Sequence, residues 1–296
     1  MDTQLLQAFA SVAEGGSFSI AAEQLHLTQP AVSKRIALLE GQLDCRLFDR
    51  IGRQITLTEA GRALLPHAQS VLQEIRSAKR HIQDLRGGVT GVLTMGISHH
   101  LGLHRLPPIL RKFTHDYPDV RLDIDFLDSE EAYERVLLGE VEMGVITLAP
   151  EAKPSLDQIV LWRDELVITV APEHPLTRAK KLSLRDLSEH RAILPGLNTY
   201  TGRIIKQLFD EQRLPLDIAM STNYLETLKM MVSIGLGWSV LPKTLIDKSL
   251  RGLTIKDSVF NGHALSRNLG VVIHRDRSLS NAANALLILL RSEADQ

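Results

Sequence analysis

The chain has 296 residues, of which 44% are hydrophobic, with 34 Lys and Arg against 35 Asp and Glu. This length suggests about two domains. The near-neutral charge excludes a general polyanion binder, so any contact with nucleic acid must come from a local basic patch. The single cysteine, Cys45, excludes a disulfide framework and a cysteine-based zinc site. With no signal peptide and no apolar run long enough for a bilayer, we expect a cytoplasmic protein without a membrane partner.

The first part of the chain contains three predicted helices. Apolar residues at helical spacing begin at Leu5, and Gly15-Gly16 ends this helix. Ser17 is a candidate N-cap for a second helix over 18–25. After a short turn, Pro30 lies in the first turn of a third helix, where proline is tolerated. Two helices joined by a short turn are typical of a helix-turn-helix motif.

A hairpin is predicted directly after these helices. Two short β-type runs, at 47–50 and 55–58, flank a turn at 51–54 that contains Gly52. Such a hairpin after a helix-turn-helix motif is a wing, and Arg50 and Arg53 would reach phosphate or the minor groove from it. Cys45 is expected to be a small packed residue and not a nucleophile.

The N-terminal face of the third helix is the candidate DNA-reading surface, because this end of a recognition helix enters the major groove. Gln29 is able to bond bidentately to adenine, and Lys34 or Arg35 would reach a guanine edge or a phosphate. A basic patch of this size is more often an ordinary solvated surface, so the patch alone does not decide the function. The candidate DNA-binding residues are Thr28, Gln29, Pro30, Ser33, Lys34, Arg35, Arg50 and Arg53.

A long helix is predicted from 59 to about 86, with Thr58 as its cap and Gly87-Gly88 as a flexible joint after it. Apolar residues in this helix alternate at spacings of four and three, which predicts the seam of a coiled coil and therefore a dimer. The alternative is an amphipathic helix that packs on its own domain. Pro66 lies inside the helix and is expected to kink it or remove a backbone bond. The candidate seam residues are Leu64, Ala68, Val71, Ile75, Ala78, Ile82 and Leu85.

From Val89 onward, predicted strands and helices alternate. The predicted strands lie at 92–97, 120–126, 143–147, 166–171, 192–194, 218–221 and 269–274. The predicted helices lie at 103–117, 130–139, 202–212, 225–234 and 282–291. This alternation predicts an α/β domain with parallel sheets and helices on both faces. Trp238 is expected in the core of this domain.

Several motifs together resemble one family, the LysR-type transcriptional regulators. They are FSIAAEQLHLTQPAVSKRI at 18–36, LLE at 38–40, LFDR at 47–50, LTEAG at 57–61, YPDV at 117–120, HPL at 174–176 and GLGW at 235–238. The resemblance implies a periplasmic-binding-protein-like (type 2) effector domain of two α/β subdomains behind an all-α winged helix-turn-helix. It also implies a homodimer or homotetramer that binds double-stranded promoter DNA and a small-molecule effector, with RNA polymerase as a further candidate partner.

The resemblance also implies a division of the chain. The winged helix-turn-helix would occupy 1–58, the linker helix and hinge 59–88, and the effector domain 89–296. Within the effector domain, the first subdomain would comprise about 89–162 and 267–296, and the second about 163–266. Two-fold symmetry of a dimer predicts an inverted-repeat operator with half-sites about 10 bp apart.

Three loops after predicted strands are candidate effector contacts. A helix N-terminus flanked by hydroxyl groups and a glycine, as near Thr201, is suited to an anion. Positions 98, 147 and 201–203 resemble those of the sulfur-metabolism members of the family, which implies a small oxyanion such as sulfate or sulfite. An organic carboxylate or aromatic acid is the alternative. His99-His100 departs from that pattern, and hydroxyl residues after strands are also frequent helix caps. The candidates are Ser98, His99, Thr147, Asn198, Thr199, Thr201, Gly202 and Tyr224.

Three other classes of protein are weighed against a regulator. An enzyme is disfavoured because the chain has no Gly-rich phosphate loop, G-x-S-x-G or H-E-x-x-H motif, so we expect no catalytic residue and no cofactor. A metal site is not expected, because adjacent histidines at a strand end diverge. A solute-binding protein for transport is disfavoured by the helix-turn-helix and the missing signal peptide. An architectural DNA-binding protein without a ligand would stay unaffected in a thermal-shift screen, because only a ligand of the native state raises its melting temperature.

Overall fold

The computed structural model describes residues 1–51, 54–84, 87–178, 182–253 and 265–294. The chain divides into two compact units, one formed by Met1–Gly88 with Leu138–Glu140, and one formed by Val89–Leu137 with Val141–Gln296. We call them the N-terminal unit and the C-terminal unit.

The N-terminal unit contains four helices and a hairpin within the described residues. These elements are α1 (Thr3–Gly15), α2 (Phe18–Gln24), α3 (Gln29–Leu43), β1 (Phe48–Ile51), β2 (Gln54–Leu57) and α4 (Glu59–Asp84). Gly16 closes α1 with a left-handed φ of 59°, and the Ser17 hydroxyl accepts the Ser19 N–H at 3.2 Å to cap α2. Both predicted helix boundaries are therefore confirmed.

Aromatic rings from three elements form the centre of the N-terminal core. The ring of Phe48 on β1 lies 5.4 Å from that of Phe9 and 6.1 Å from that of Phe18, between ring centroids. From α3, Val32 and Ile36 are buried in the same core, as their helical spacing predicts. The core therefore fixes the angle between α2 and α3 and leaves the opposite face of α3 exposed.

Hydrogen bonds tie the hairpin to the helices on both sides of it. The Glu40 carboxylate accepts the N–H of Leu47 at 2.8 Å, and the Thr58 hydroxyl caps α4 by accepting the Gly61 N–H at 3.0 Å. A Cβ atom on Gly61 would lie 2.2 Å from the Leu47 carbonyl oxygen, so only glycine fits there. Helix α4 continues through Pro66.

Cys45 corrects one expectation, because it is exposed and not packed. It follows Asp44, whose left-handed φ of 51° ends α3 in a surface turn. A side chain in such a turn has no neighbouring layer to cover it.

The C-terminal unit alternates strands and helices. Its strands are β3 (Gly91–Ser98), β4 (Val120–Leu127), β5 (Met143–Thr147), β6 (Leu156–Val170), β7 (Ala192–Leu194), β8 (Ile218–Ser221), β9 (Ser239–Pro242), β10 (Arg251–Leu253) and β11 (Ser266–His274). Its α-helices are α5 (His99–His104), α6 (Leu106–Asp116), α7 (Ser129–Leu138), α8 (Leu184–Ser188), α9 (Tyr200–Glu211), α10 (Leu225–Ser233) and α11 (Asn281–Ala294).

The main sheet of this unit is mixed, which corrects the expectation of parallel sheets. Among the described residues it has seven strands in the order β10-β6-β11-β5-β3-β4, with β9 also paired to β6. Strand β3 is parallel to β4 and β5, whereas β11 is antiparallel to both β5 and β6. The sequence pattern identifies strands but not their direction, because β11 returns from a distant part of the chain.

Strand β6 is much longer than the predicted strand at 166–171 and packs into three hydrophobic clusters, through Leu156, Leu161 and Leu166 among others. Its residues 156–165 pair with β11, and residues 166–170 pair with β9 and β10. We call the part around β3, β4, β5 and β11 lobe 1 and the part around β7 to β10 lobe 2. Lobe 1 packs α6 and α11 on one face of its sheet and α7 on the other, so helices on both faces are confirmed there. In lobe 2, Trp238 is fully buried and its Nε1 donates to the carbonyl of His190 at 3.0 Å, as expected of a core residue.

Candidate functional site

The exposed face of α3 carries most of the predicted DNA-reading groups. Thr28, Gln29, Pro30 and Lys34 are exposed, and Ser33 is half-buried. The Gln29 amide donates to the Ser33 hydroxyl at 3.3 Å, since these residues lie one turn apart on the same face. This face therefore presents amide, hydroxyl and ammonium groups together, which are the groups that read base edges and phosphates.

The predicted basic residues do not all lie on this face. The Arg35 guanidinium donates to the side-chain oxygen of Gln4 at 2.9 Å and so connects α3 to the start of α1. Arg53 lies outside the described residues, and of Arg50 the structure describes only the backbone in β1.

The predicted seam of α4 divides into two parts. Ala68 is buried in the N-terminal core and Leu64 packs against it, as the alternative reading of this helix expects. Further along, Val71 is 45% and Ile82 64% exposed. Ile75 is half-buried and Ala78 exposed, whereas Leu85 lies outside the described residues. The second half of α4 therefore keeps an apolar stripe that is available to a partner.

A small polar cavity of about 60 Å³ lies in the C-terminal unit, between lobe 1 and lobe 2. Strands β3 and β5 end in it at Ser98 and Thr147, because neighbouring parallel strands end at the same edge of the sheet. Lobe 2 supplies the start of α9, with Thr199 and Thr201. Residues from all three predicted effector loops therefore line the cavity.

A buried ion pair forms one wall of this cleft. Arg267 on β11 donates to Asp164 on β6 through Nε at 3.1 Å and Nη2 at 2.9 Å, and its Nη1 donates to the Thr201 hydroxyl at 3.2 Å. His100 Nε2 lies 3.6 Å from Asp164 Oδ2. Burial would raise the pKa of Asp164, but the interactions with His100 and Arg267 outweigh it and hold this pKa below its usual value. Asp164 is therefore ionised, and it keeps the Arg267 guanidinium in the cleft.

Two buried polar atoms of the cleft have no partner among the described residues: Ser98 Oγ and His100 Nδ1. Burial lowers the pKa of His100, which favours the neutral imidazole. We assign its proton to Nε2, facing Asp164, so that Nδ1 is an acceptor. Because buried polar atoms are nearly always satisfied in proteins, this pair marks a place where a ligand or water binds.

Carboxylates of lobe 1 bridge to lobe 2 beside these atoms. Glu130, in the first turn of α7, accepts the backbone N–H of Tyr200 at 2.5 Å. Asp128 accepts from the Asn223 amide at 2.7 Å, and Asn223 Oδ1 in turn accepts the Gly196 N–H at 2.9 Å. The cleft is therefore closed by direct bonds between the lobes.

An apolar groove of about 390 Å³ adjoins the cavity and shares His99 and His100 with it. The His99 ring lies 4.7 Å from the ring of Tyr224 and is stacked 6.2 Å from that of Phe126. The groove is therefore lined by aromatic rings from both lobes.

Comparison with known proteins identifies the family. Residues 3–62 match the model for the bacterial regulatory helix-turn-helix protein, lysR family, and residues 86–295 match the model for the LysR substrate binding domain. The chain belongs to the LysR family of transcriptional regulators. It is thus a LysR-type DNA-binding regulator with an effector-binding domain, and the resemblance in its sequence motifs is confirmed at the level of the family.

One relative and two solved structures show how far this similarity extends. The uncharacterized HTH-type transcriptional regulator YeiE of Escherichia coli K12 is 31% identical over 282 residues, which cover 95% of this chain and 94% of YeiE. A full-length OxyR variant from Pseudomonas aeruginosa superposes with a TM-score of 0.71 at 20% identity, covering 99% of this chain and 94% of that one. CbnR complexed with its target DNA gives a TM-score of 0.64 at 21% identity, with 99% and 100% covered. The two structures establish the fold of this LysR-family chain.

The structure separates the predicted effector residues into three groups. Ser98, His99, Thr147, Thr199 and Thr201 line the cavity, whereas Tyr224 lines the adjoining groove. Asn198 and Gly202 line neither of these two pockets.

Thr199 and Gly202 have local structural roles in this LysR-family domain. The Thr199 hydroxyl accepts the Gly202 N–H at 3.0 Å and donates to the Gly196 carbonyl at 2.7 Å, so it caps α9. A Cβ atom on Gly202 would lie 2.2 Å from the same carbonyl oxygen, so the close packing of this loop requires glycine.

Several cleft residues were not found from the sequence. They are Asp128, Glu130 and Arg267. Asp128 and Glu130 directly follow β4, and strand ends are where such residues would be sought in an α/β domain. Arg267 has no comparable signal, because it reaches the site from a strand 103 residues after its partner Asp164.

The described residues contain no group of three or more His, Cys, Asp or Glu side chains placed to hold a metal ion. Among their helices, none combines the length and apolar character that a membrane span requires.

Proposed function

We propose that this LysR-family regulator changes its binding to promoter DNA when a small anionic molecule occupies the cleft between lobe 1 and lobe 2. The observation that carries the proposal is the cavity with its buried Ser98 hydroxyl, a donor suited to an anion that has no partner among the described residues, beside the Arg267 guanidinium. In this proposal residues 1–58 bind DNA, 59–88 link and dimerise, and 89–296 hold the effector.

The exposed face of α3 would read the DNA. Gln29 is suited to a bidentate bond with adenine and Lys34 to a phosphate or guanine. Pro30 would touch a thymine methyl group. Arg50 and Arg53 of the wing would contact the backbone, which sets register and gives a steep dependence on salt.

A small oxyanion such as sulfate or sulfite is the first candidate effector. The cavity of about 60 Å³ has room for only a few non-hydrogen atoms. Hydroxyl groups at Ser98, Thr147 and Thr201 surround it, and the start of α9 adds the positive end of a helix dipole. These groups are the donors that bind sulfate at helix N-termini.

An organic carboxylate or aromatic acid is the second candidate, and the adjoining groove favours it. A carboxylate in the cavity would place an attached ring among His99, Phe126 and Tyr224. Offset or edge-to-face contacts with such rings contribute about 0.5–1.5 kcal/mol each.

The exposed stripe of α4 supports a homodimer, and a homotetramer would need a further contact. We propose the cytoplasm as the location of this oligomer. RNA polymerase is a candidate partner of the DNA-bound form.

The test is a thermal-shift and DNA-binding series on the full chain with sulfate, sulfite, benzoate and a short dicarboxylate. A ligand at 100 times its Kd raises the free energy of unfolding by about 2.7 kcal/mol, and we expect the same ligand to change the affinity for operator DNA. Thr201→Ala should abolish the shift and Thr201→Ser should retain it. Thr114→Ala, at an exposed hydroxyl of α6, is the matched control and should behave as the wild type. Arg267 is avoided, because removing it would leave Asp164 buried and unpaired at a cost of about 3–5 kcal/mol.

A shift with sulfate or sulfite selects the oxyanion, and a shift with benzoate or the dicarboxylate alone selects the organic acid. A ligand whose effect survives Thr201→Ala does not bind in this cleft. If no compound stabilises the wild type, the anionic effector class is wrong.

A further inference from the structure

Glu130 occupies the position in the cleft that an anion would be expected to take. Tyr200 is the first residue of α9, and its N–H is one of the donors at a helix start that have no partner within the helix. The carboxylate of Glu130, which lies 70 positions earlier in the chain, accepts this N–H across the cleft. The positive end of α9 is therefore already occupied by a negative charge that belongs to the protein.

The ionised Glu130 is poorly compensated in this position. Burial raises the pKa of its carboxyl group, although the Tyr200 N–H and the Arg203 charge oppose the rise. Asp128 adds a second negative charge nearby and also raises this pKa. The ionised carboxylate is thus less stable here than in water, so its contact with α9 is one that a better-matched anion can replace.

The site beside Glu130 has binding groups that Glu130 does not use. Ser98 is 8% exposed and the His100 side chain 9%, and Ser98 Oγ and His100 Nδ1 both lack a partner among the described residues. Both residues line the same cavity as Glu130 and Tyr200. The Glu130 contact therefore closes the cleft but leaves Ser98 Oγ and His100 Nδ1 without a hydrogen-bond partner among the described residues.

The charges of the cleft would oppose an anion while Glu130 remains in place. Arg267 is paired with Asp164, so the carboxylates of Asp128 and Glu130 in the cavity lining are offset mainly by Arg203, which acts on Glu130 from α9. An anion of the size of sulfate would meet the Glu130 carboxylate at the N-terminus of α9. Binding of the anion and retention of the Glu130 contact are therefore mutually exclusive.

We propose that Glu130 is a built-in competitor of the effector, holding α9 in the empty cleft and leaving it when an anionic effector binds. This inference rests on the proposed function, since it assumes that an anion enters the cleft. It makes Glu130 a specificity-determining residue, because only a ligand that bonds to α9, Ser98 and Arg267 together would displace it. Ligands without a negative charge would leave the contact between Glu130 and the Tyr200 N–H intact.

The test compares full-length Glu130→Gln with the wild type, using sulfate and sulfite as probes at pH 7.5 and constant ionic strength. Glutamine keeps an oxygen that accepts the Tyr200 N–H but removes the charge. A hydrogen bond to a charged group is roughly twice as strong as a neutral one, so we expect the variant to bind the anion about tenfold more tightly. Glu131→Gln is the matched control, because Glu131 is an exposed neighbour on α7 and should leave the affinity unchanged.

A second measurement tests the closed state without any ligand. Hydrogen exchange at the start of α9 should become faster in Glu130→Ala, because the Tyr200 N–H loses its acceptor. Unchanged exchange would show that Glu130 does not hold α9 and would overturn the proposal.

The outcomes of the anion titration separate the two proposals. If the wild type binds an anion and Glu130→Gln binds it equally or more weakly, the competitor role is wrong while the cleft as effector site stands. If the wild type binds the anion and Glu130→Gln binds it about tenfold more tightly, the competitor role is supported. If only Glu130→Gln binds it, the anion does not displace Glu130 in the wild type and the competitor role is overturned. If neither protein binds sulfate or sulfite, but an organic acid binds in a way that depends on Thr201, the titration is repeated with that acid. The affinity of Glu130→Gln relative to the wild type then decides as before. If nothing binds to either protein, the competitor role is overturned together with the anionic effector.

Discussion

Single residues in the two candidate sites differ in how their polar atoms are placed. On α3, Gln29 and Lys34 are exposed, so their donors stay hydrated until they meet a base edge or a phosphate. In the cleft, Ser98 Oγ and His100 Nδ1 are buried and have no partner within the part of the chain that the structure describes. A buried polar atom without a partner costs about 1–3 kcal/mol. A ligand or water that bonds to these two atoms therefore removes a cost that the exposed face of α3 does not carry.

Gln29→Ala and Lys34→Ala should weaken DNA binding in different ways. Loss of a bidentate contact to a base costs about 1–3 kcal/mol and relaxes selectivity at one base pair, whereas loss of a phosphate contact lowers the salt slope by about one for every sequence. The measurement is the affinity for DNA that the protein selects from a random pool, at several salt concentrations. Gln42→Ala, at the far end of the same helix, is the control. Identical salt slopes in Lys34→Ala and the wild type would contradict a phosphate contact.

At the scale of elements, the two halves of helix α4 differ in what covers their apolar residues. Its first half packs Ala68 into the N-terminal core, and its cap at Thr58 is joined to the hairpin through Gly61. Its second half exposes Val71 and Ile82. An apolar stripe on one face of a helix is stable in water chiefly when another surface covers it. The packing reading of the predicted seam thus applies to the first half of the helix, and the dimer reading stays a prediction for the second half.

Ile82→Glu should therefore weaken self-association if α4 forms the dimer seam. In a symmetric dimer both copies lose the burial of an isoleucine, about 1.5–3 kcal/mol each, which corresponds to a dissociation constant raised at least about a hundredfold. Sedimentation velocity over a range of protein concentrations measures this change. Ser70→Glu, on an exposed part of α4 away from the stripe, should leave the mass unchanged. A full-length dimer that survives Ile82→Glu would place the interface elsewhere.

At the scale of the whole molecule, the proposed function requires the effector and the DNA to affect each other's binding. Coupling between two ligands is a free energy of the whole protein, so it must be reciprocal. We expect the effector to change DNA affinity by about 5- to 150-fold, the usual range for such coupling. Operator DNA should then change effector affinity by the same factor in the same direction. Calorimetric titration of the effector with and without operator DNA tests this equality, with a scrambled DNA duplex as control. An effector affinity that is insensitive to operator DNA would show that cleft and DNA-binding face are independent.

The local structure of the N-terminal unit was predictable because its signals act over a few residues. Gly16 ends α1, Ser17 caps α2 and Thr58 caps α4, as their residue types indicate. The alternation of strands and helices beyond Val89 follows from equally local periodicity. From such patterns and from the family motifs, the sequence by itself determined the class of regulator, the exposed face of α3 and the end of β3 and β5 as the place of the cavity.

The tertiary structure alone decided the direction of β11, the length of β6 and the chemistry of the cleft. Arg267 meets Asp164 across 103 residues, and Glu130 meets Tyr200 across 70. Such contacts depend on how distant segments are brought together, which no period of two or 3.6 residues encodes. The sequence therefore indicated an anion site at the start of α9, but only the folded chain placed a carboxylate of the protein in it.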